Sequence, residues 1–324
     1  MTTTAPAPAG RFAGVELGGT KVVVTLADGL DIVDQRSLAT TSPDETLSAA
    51  VDILVAWDRQ APIAAIGIAS FGPVRVDPAA PDYGTILDTP KPGWTGARVV
   101  APFTSRFACP VALDTDVNGA GIAEAEFGAG RGCRTIVYLT IGTGVGGGVI
   151  VNGQPVAGRL HPEIGHMSLR RAAGDGFAGA CPFHRDCVEG LLSGPALRAR
   201  FGRDPATVDP ADPGWAAVAS DLAELLAVLM LALSPDRIIV GGSVALGQPD
   251  VVARAAILAA ERLVIYIADY DLTALSCIVA PPALKQDAGP LGAILLAVRA
   301  AQRGTPGVTT GLRSVALRDS AGHR

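Results

Sequence analysis

The chain of 324 residues has no basic stripe interleaved with aromatics; its 26 Lys and Arg are scattered among 31 Asp and Glu, leaving a net charge of -5. Nucleic acid is therefore not an expected partner. The opening MTTTAPAPAG has neither the basic start nor the apolar run of a secretory signal, so a cytoplasmic protein is expected. No apolar stretch reaches the roughly 20 residues that span a bilayer. The most apolar one, LAELLAVLMLAL at 222–233, carries Glu224 and stops at Ser234-Pro235, so it reads as a buried helix and no membrane is implied. No GxxxxGK[ST] occurs, which excludes a P-loop. Cysteine is scarce too. Cys109, Cys133 and Cys277 lie far apart in apolar contexts and read as core fillers, not as a disulfide framework.

What is present points to α/β architecture: apolar runs of strand length alternate with Ala-rich helical patterns, over a length that suits two domains. FAGVELGGTKVVVTLADG (12–29) and RTIVYLTIGTGVGGGVIVNG (134–153) share one plan, a strand, a glycine turn and a second strand. Consecutive glycines at such a turn aim backbone N–H groups at one point, a nest for phosphate oxygens; each turn taken alone also reads as a plain hairpin. GxGxxG within 142–147 sits between strands instead of opening a helix, so the dinucleotide reading fails. Two matching loops suggest a nucleotide clamped between domains. VGGS (240–243) adds a third turn at a strand end, equally readable as structural.

Further strands are expected at 64–70, 110–116, 236–244 and near 276–280, with helices near 44–58, 117–126, 190–202, 214–233, 248–263 and 288–302. Residues 303–324 lack a clean period and are expected to form a flexible tail.

Histidine occurs only four times, yet three of the four fall within 161–187 beside two cysteines. Cys181, His184 and Cys187 supply three tetrahedral zinc ligands from one turn of chain, and His166 closes the site, with His161 the competing fourth ligand. The intervening RRAAGDGFAGA is too rich in Gly and Ala to fold alone, so the metal is expected to order it. A zinc so placed would fix Glu163 and Glu189, although a Glu at a helix start also serves as a capping charge. Strand alternation puts Asp114 and Asp116 on one side of a strand end, where Asp116 reads either as an N-cap or as a base for phosphoryl transfer to an alcohol.

Together these motifs resemble the ROK family of sugar kinases, and within it the zinc-containing bacterial fructokinases, over about 14–299. ELGGTK (16–21), SFGP (70–73), TPKPGW (89–94), DTDVNGA (114–120), TIGTGVGGG (140–148), EIGH (163–166) and CPFHRDCVEGLLSGPAL (181–197) carry the likeness. The resemblance implies an actin-like, ribonuclease H-like two-domain ATPase fold. Its N-terminal lobe would be 1–115, completed by helix 288–302, and its C-terminal lobe, with the zinc loop, 116–287. It implies ATP, Mg2+, structural Zn2+, a homodimer and ATP-dependent phosphorylation of D-fructose, with glucose or mannose as alternative sugars. Asp116 would be the base. Gly18, Gly19, Thr20, Lys21, Gly142, Thr143 and Gly144 would hold phosphates, and Gly241 and Gly242 would border the nucleoside. Gly72, Gly93, Thr115, Asp116, Glu163, His166 and Glu189 would meet the sugar, with Lys91–Trp94 as a lid or contact loop. Two residues depart from common family forms: Glu16, where many members have Asp, leaves its Mg2+ contact open, and Thr115, in place of Asn, favours fructose over glucose. A sugar-responsive repressor of the same family would carry a DNA-binding domain before the first strand, which here is expected near Phe12.

Overall fold

Each of the two glycine turns folds a strand pair, and each pair grows into a five-stranded sheet. The structure, a computed structural model, describes residues 9–304. β1 (Arg11–Leu17) and β2 (Lys21–Asp28) pair antiparallel, with Val15 opposite Val24. Gly29, at φ 64, turns the chain into β3 (Asp31–Ala39). The sequence reading has no strand here, because this edge strand is exposed along most of its length and shows no buried face. The Asp28-Gly29 pair, a hairpin turn signal, was the clue to it.

α1 (Pro43–Asp58) starts under Ser42, whose hydroxyl accepts from the Glu45 N–H at 3.4 Å, and buries Leu47, Ala50, Leu54 and Trp57. β4 (Ala65–Ser70) lies parallel to β1. After a long loop and the short α2 (Ala101–Thr104), β5 (Val111–Thr115) lies parallel to β4. Short bridges, Val74 with Ile86 and Thr85 with Arg98, pin that loop. Trp94 is fully buried and donates its indole N–H to the Thr41 carbonyl at 2.9 Å.

α3 (Asp116–Phe127) leads into β6 (Thr135–Ile141), β7 (Val145–Val151) and β8 (Gln154–Pro155). Then come α4 (Val188–Leu192), α5 (Gly194–Phe201), α6 (Gly214–Leu233) and β9 (Arg237–Gly241). α7 (Ser243–Gly247), α8 (Pro249–Leu263), α9 (Leu272–Ile278), β10 (Val279–Ala280) and α10 (Ala288–Gly304) complete the chain. The sheets run β3-β2-β1-β4-β5 and β10-β9-β6-β7-β8, so the second repeats the order of the first when its strands are counted from β6. This is the duplicated ribonuclease H-like sheet of the actin-like two-domain ATPase fold. α10 lies directly on the first sheet: a Cβ at Gly67 would collide with the Ala293 carbonyl.

Three expected elements change. Ser193 is extended and its hydroxyl caps α5, accepting from Ala196 N–H at 3.3 Å, so one expected helix becomes α4 and α5. The expected strand from Ser276 is mostly α9, because Asp271 accepts from the Ala274 N–H at 2.9 Å and nucleates a helix. α10 extends to Gly304, past its expected end; of the expected tail, 305–324 lies outside the described residues. Cys277 on α9 is exposed, not a core filler, while Cys109 and Cys133 pack half-buried against the cores. α6 is 20 residues long, so the apolar stretch begins well before 222 and, contrary to the sequence reading, is by length and composition able to cross a membrane. Here it is a core helix: Leu222, Leu226, Leu229 and Met230 are buried, and its acids pair with arginines, Asp221 with Arg200 at 2.9 Å and Glu224 with Arg262 at 3.0 Å.

Candidate active site

Two cavities meet at the second glycine turn. One, of about 750 Å³, is lined by Gly19, Gly72, Asp116, Glu163 and Glu189, and the other, of about 820 Å³, by Gly194, Arg198, Ser243 and Gln248. Gly142 and Thr143 belong to both walls, and Gly144 to the first. Each volume suits a small molecule.

Asp116 owes its place to its neighbour. Thr115, extended at φ -72 and ψ 155, is the N-cap of α3, and its hydroxyl accepts from Asn118 N–H at 3.2 Å. The capping reading of Asp116 is thereby corrected. The chain leaves the strand conformation here, so alternation fails and the two acids part. Asp114 accepts from Asn118 Nδ2 at 2.6 Å and Thr115 N–H at 2.8 Å, whereas Asp116 lines the cavity with one oxygen on Val117 N–H at 2.9 Å. Burial pushes the Asp116 carboxyl up to about 6, leaving it mostly ionised at neutral pH. Glu163 rises to about 7, through burial first and then the charges of Asp116 and Glu189. Glu16 also reaches about 7, through burial and then Asp116, with Lys21 opposing.

In the first turn Gly18 donates its N–H to the Lys21 carbonyl at 3.1 Å, Thr40 N–H reaches the Thr20 carbonyl at 3.0 Å, and Gly19 faces the cavity. In the second, Gly142 N–H bonds the Gly144 carbonyl at 2.9 Å, and Val145 N–H donates to Glu189 at 3.1 Å. A Cβ at Gly144 would stand 2.7 Å from that carboxylate, so any larger residue there would have to move the Glu189 side chain. Gly241 ends β9, and Gly242, at φ 87, turns the chain so that Ser243 and Val244 reach the second cavity. Thr115 and His166 line the first cavity. Gly93, at φ 79, serves the turn that lowers Trp94 into the core, and the neighbouring Asp88, Thr89, Pro90 and Lys91 form the cavity wall instead. Lys91 Nζ donates to the Gly19 carbonyl.

The Cys and His residues converge. The ligand atoms of His166, Cys181, His184 and Cys187 all lie within 4.8 Å of one another. Sγ of Cys187 is 3.7 Å, and that of Cys181 3.9 Å, from His166 Nδ1. Edges of roughly 3.5 to 3.8 Å belong to a zinc tetrahedron with bonds of about 2.1 and 2.3 Å, so the set fits zinc. A catalytic thiol does not fit, since Cys181 is 5% and Cys187 1% exposed. Cys187 is also the N-cap of α4, which carries Glu189, and His166 ends the short turn that begins at Glu163. His161 stands apart from this cluster, because its Nε2 accepts from Val74 N–H at 3.2 Å.

The intervening loop does not depend on a metal alone for order. Arg171 pairs with Asp175 at 2.6 Å, Arg200 with Asp175 at 3.1 Å, and the Arg200 guanidinium lies 4.5 Å from the Phe177 ring centroid. The Gly and Ala content hid Arg171, Asp175 and Phe177, which lock the loop onto Arg200 of α5 and, through Arg171 and Asp221 at 3.6 Å, onto α6. Sequence reasoning also missed Arg198 and Gln248, which stand in no motif, and took only the glycines from the VGGS turn that Ser243 ends.

The ROK family model matches residues 12–300. The chain is 40% identical over 296 residues to the fructokinase of Zymomonas mobilis, covering 88% of this chain and 96% of that protein. It is 38% identical over 285 residues to the fructokinase of Pediococcus pentosaceus, covering 87% and 96%. The crystal structure of the ROK hexokinase from Thermus thermophilus aligns with a TM-score of 0.72 at 26% identity, over 91% of this chain and 100% of that one.

Proposed function

The chain belongs to the ROK family, and on that premise we propose that it is a fructokinase, transferring the γ-phosphoryl group of ATP to the 6-hydroxyl of D-fructose. The observation that carries the mechanism is the ionisable Asp116 in the wall of the first cavity, beside the glycine turn that the second cavity shares.

Fructose occupies the first cavity, against Gly72, Thr115, Glu163, His166 and Glu189. ATP lies in the second, its base beyond Gly241 and Gly242 and its phosphates toward Gly142–Gly144 and Gly18–Lys21. Asp116 accepts the proton of the 6-hydroxyl as that oxygen bonds the γ-phosphorus and the bond to the bridging β–γ oxygen breaks, so ADP leaves with the electron pair. Mg2+, when bound, neutralises phosphate charge. Glu16, whose carboxyl burial and then the Asp116 charge push up to about 7, would be the acid to hold it, leaving Asp116 free as the base. Zn2+ would hold His166, Cys181, His184 and Cys187 together and so steady Glu163 and Glu189.

In this reading the first sheet with α10 and the second sheet with the Cys/His loop are two lobes that close on the substrates, in the cytoplasm where ATP is available. A homodimer is supported by the exposed Ile265 (86%) and Tyr266 (84%). Coupled assays with fructose, glucose and mannose test the assignment: fructose should give the highest kcat/KM, and preference for another hexose would overturn it.

A further inference from the structure

We propose that His161 is a positioning residue that holds the Glu163 carboxylate at the sugar, with the Gly72–Val74 turn as its support; this rests on the reading of Glu163 as a sugar contact. His161 is 7% exposed and lines the first cavity. Its Nε2 lies 3.2 Å from the backbone nitrogen of Val74, which is 87 positions earlier in the chain. A backbone N–H can only donate, so Nε2 must carry the lone pair and the ring proton must sit on Nδ1. Burial holds the ring below the usual histidine range, which keeps it neutral and able to accept. Nδ1 pairs with the Pro162 carbonyl at 3.4 Å, and Glu163 Oε1 lies 3.4 Å from the same nitrogen.

The support is firm. Val74 is fully buried and bridged to Ile86. Gly72 leaves room for the arrangement, since a Cβ there would stand 3.2 Å from the imidazole Cε1 and 3.4 Å from Glu163 Oε1. Without a donor beside it, Glu163 would be left to the repulsion of Asp116 and Glu189, which favours its swinging away or taking up a proton. A fixed N–H opposes both.

Two amide variants separate the two bonds of the ring. His161→Gln carries its carbonyl near the Nε2 position and keeps the Val74 bond, but loses the donor to Glu163. His161→Asn carries its NH2 near the Nδ1 position and keeps that donor. The glutamine variant should raise the fructose KM about tenfold, with the ATP KM within about twofold, and the asparagine variant should recover most of the loss. Glu163→Gln should raise the fructose KM by itself, and adding His161→Gln should bring no further rise. If Glu163→Gln acts on the fructose KM but His161→Gln does not, or if both KM values rise together, the positioning role is wrong. If Glu163→Gln leaves the fructose KM unchanged, the sugar-contact reading fails and this inference with it. Long-range nitrogen–proton NMR of the unmutated protein gives a check independent of folding: the Nδ1–H tautomer is expected, and the Nε2–H tautomer would overturn the assignment.

Discussion

The two halves share a sheet order, yet their glycine turns are held in different ways. The first has its own backbone bonds and is gripped besides by two neutral or cationic donors, Thr40 Oγ1 on the Gly18 carbonyl at 2.8 Å and Lys91 on that of Gly19, and a Cβ at Gly19 would meet nothing. The second is held by backbone and by a carboxylate: Gly194 N–H bonds the Gly142 carbonyl at 2.7 Å, and Glu189 takes Val145 N–H. α4 and α5, which supply those groups, follow directly on the Cys/His cluster. A duplicated hairpin thus gives two similar turns, and the insertion between β8 and α6 makes one of them a fixed seat.

The largest effect is expected at Asp116, which opens the helix joining the two halves. Asp116→Asn should lower kcat by about 10³ while calorimetry still registers fructose binding. Near-normal turnover would remove this residue from the chemistry. Its folded pKa of about 6 exceeds the reference 3.8, so the folded state binds the proton more tightly and stability falls as pH rises through that window. The substitution should therefore stabilise the ligand-free protein at pH 7.5 by on the order of 3 kcal/mol.

Next comes the insertion. Cys187→Ser should abolish stoichiometric zinc in metal analysis, lower the Tm by on the order of 10 °C and reduce kcat/KM about a hundredfold. A chelator that leaves both Tm and rate unchanged would count against the metal. A sharper contrast sets one turn against the other: Gly144→Ala must displace Glu189 and should cost about tenfold in fructose kcat/KM together with some Tm. Gly19→Ala should leave Tm unaltered and act, if at all, on the ATP KM. Equal Tm losses would erase the distinction drawn between the turns. The smallest effect is that of pH on the ligand-free protein. Asp116 and Asp221 have carboxyls raised to about 6, and Glu16 and Glu163 to about 7, so Tm should climb by a few degrees from pH 8 to pH 6. A falling Tm over that range would mean that other groups dominate.

Much of this was legible beforehand, for identifiable reasons. Glycine runs between apolar strands announce a hairpin because few other residues tolerate such turns, and CxxHxxC announces a metal because its ligand atoms need only one turn of chain to meet. β3 was hidden because an exposed edge strand leaves no buried face to read, and α9 because a cap at Asp271 outweighed a strand-like composition. His161 lay among candidate ligands by sequence distance, yet it bonds a residue 87 positions away. Arg171, Asp175 and Arg200 looked like scattered charges until α5 and α6 brought them together.

Local order, then, was written in the residues: the α/β alternation, the paired turns, the converging Cys and His residues and the family all rest on patterns within short windows, where spacing alone sets geometry. Tertiary structure decided which acid faces the cavity, what holds Glu189 and where His161 points. Those outcomes depend on caps and on contacts between distant segments, and no local period encodes a contact whose partner lies far along the chain.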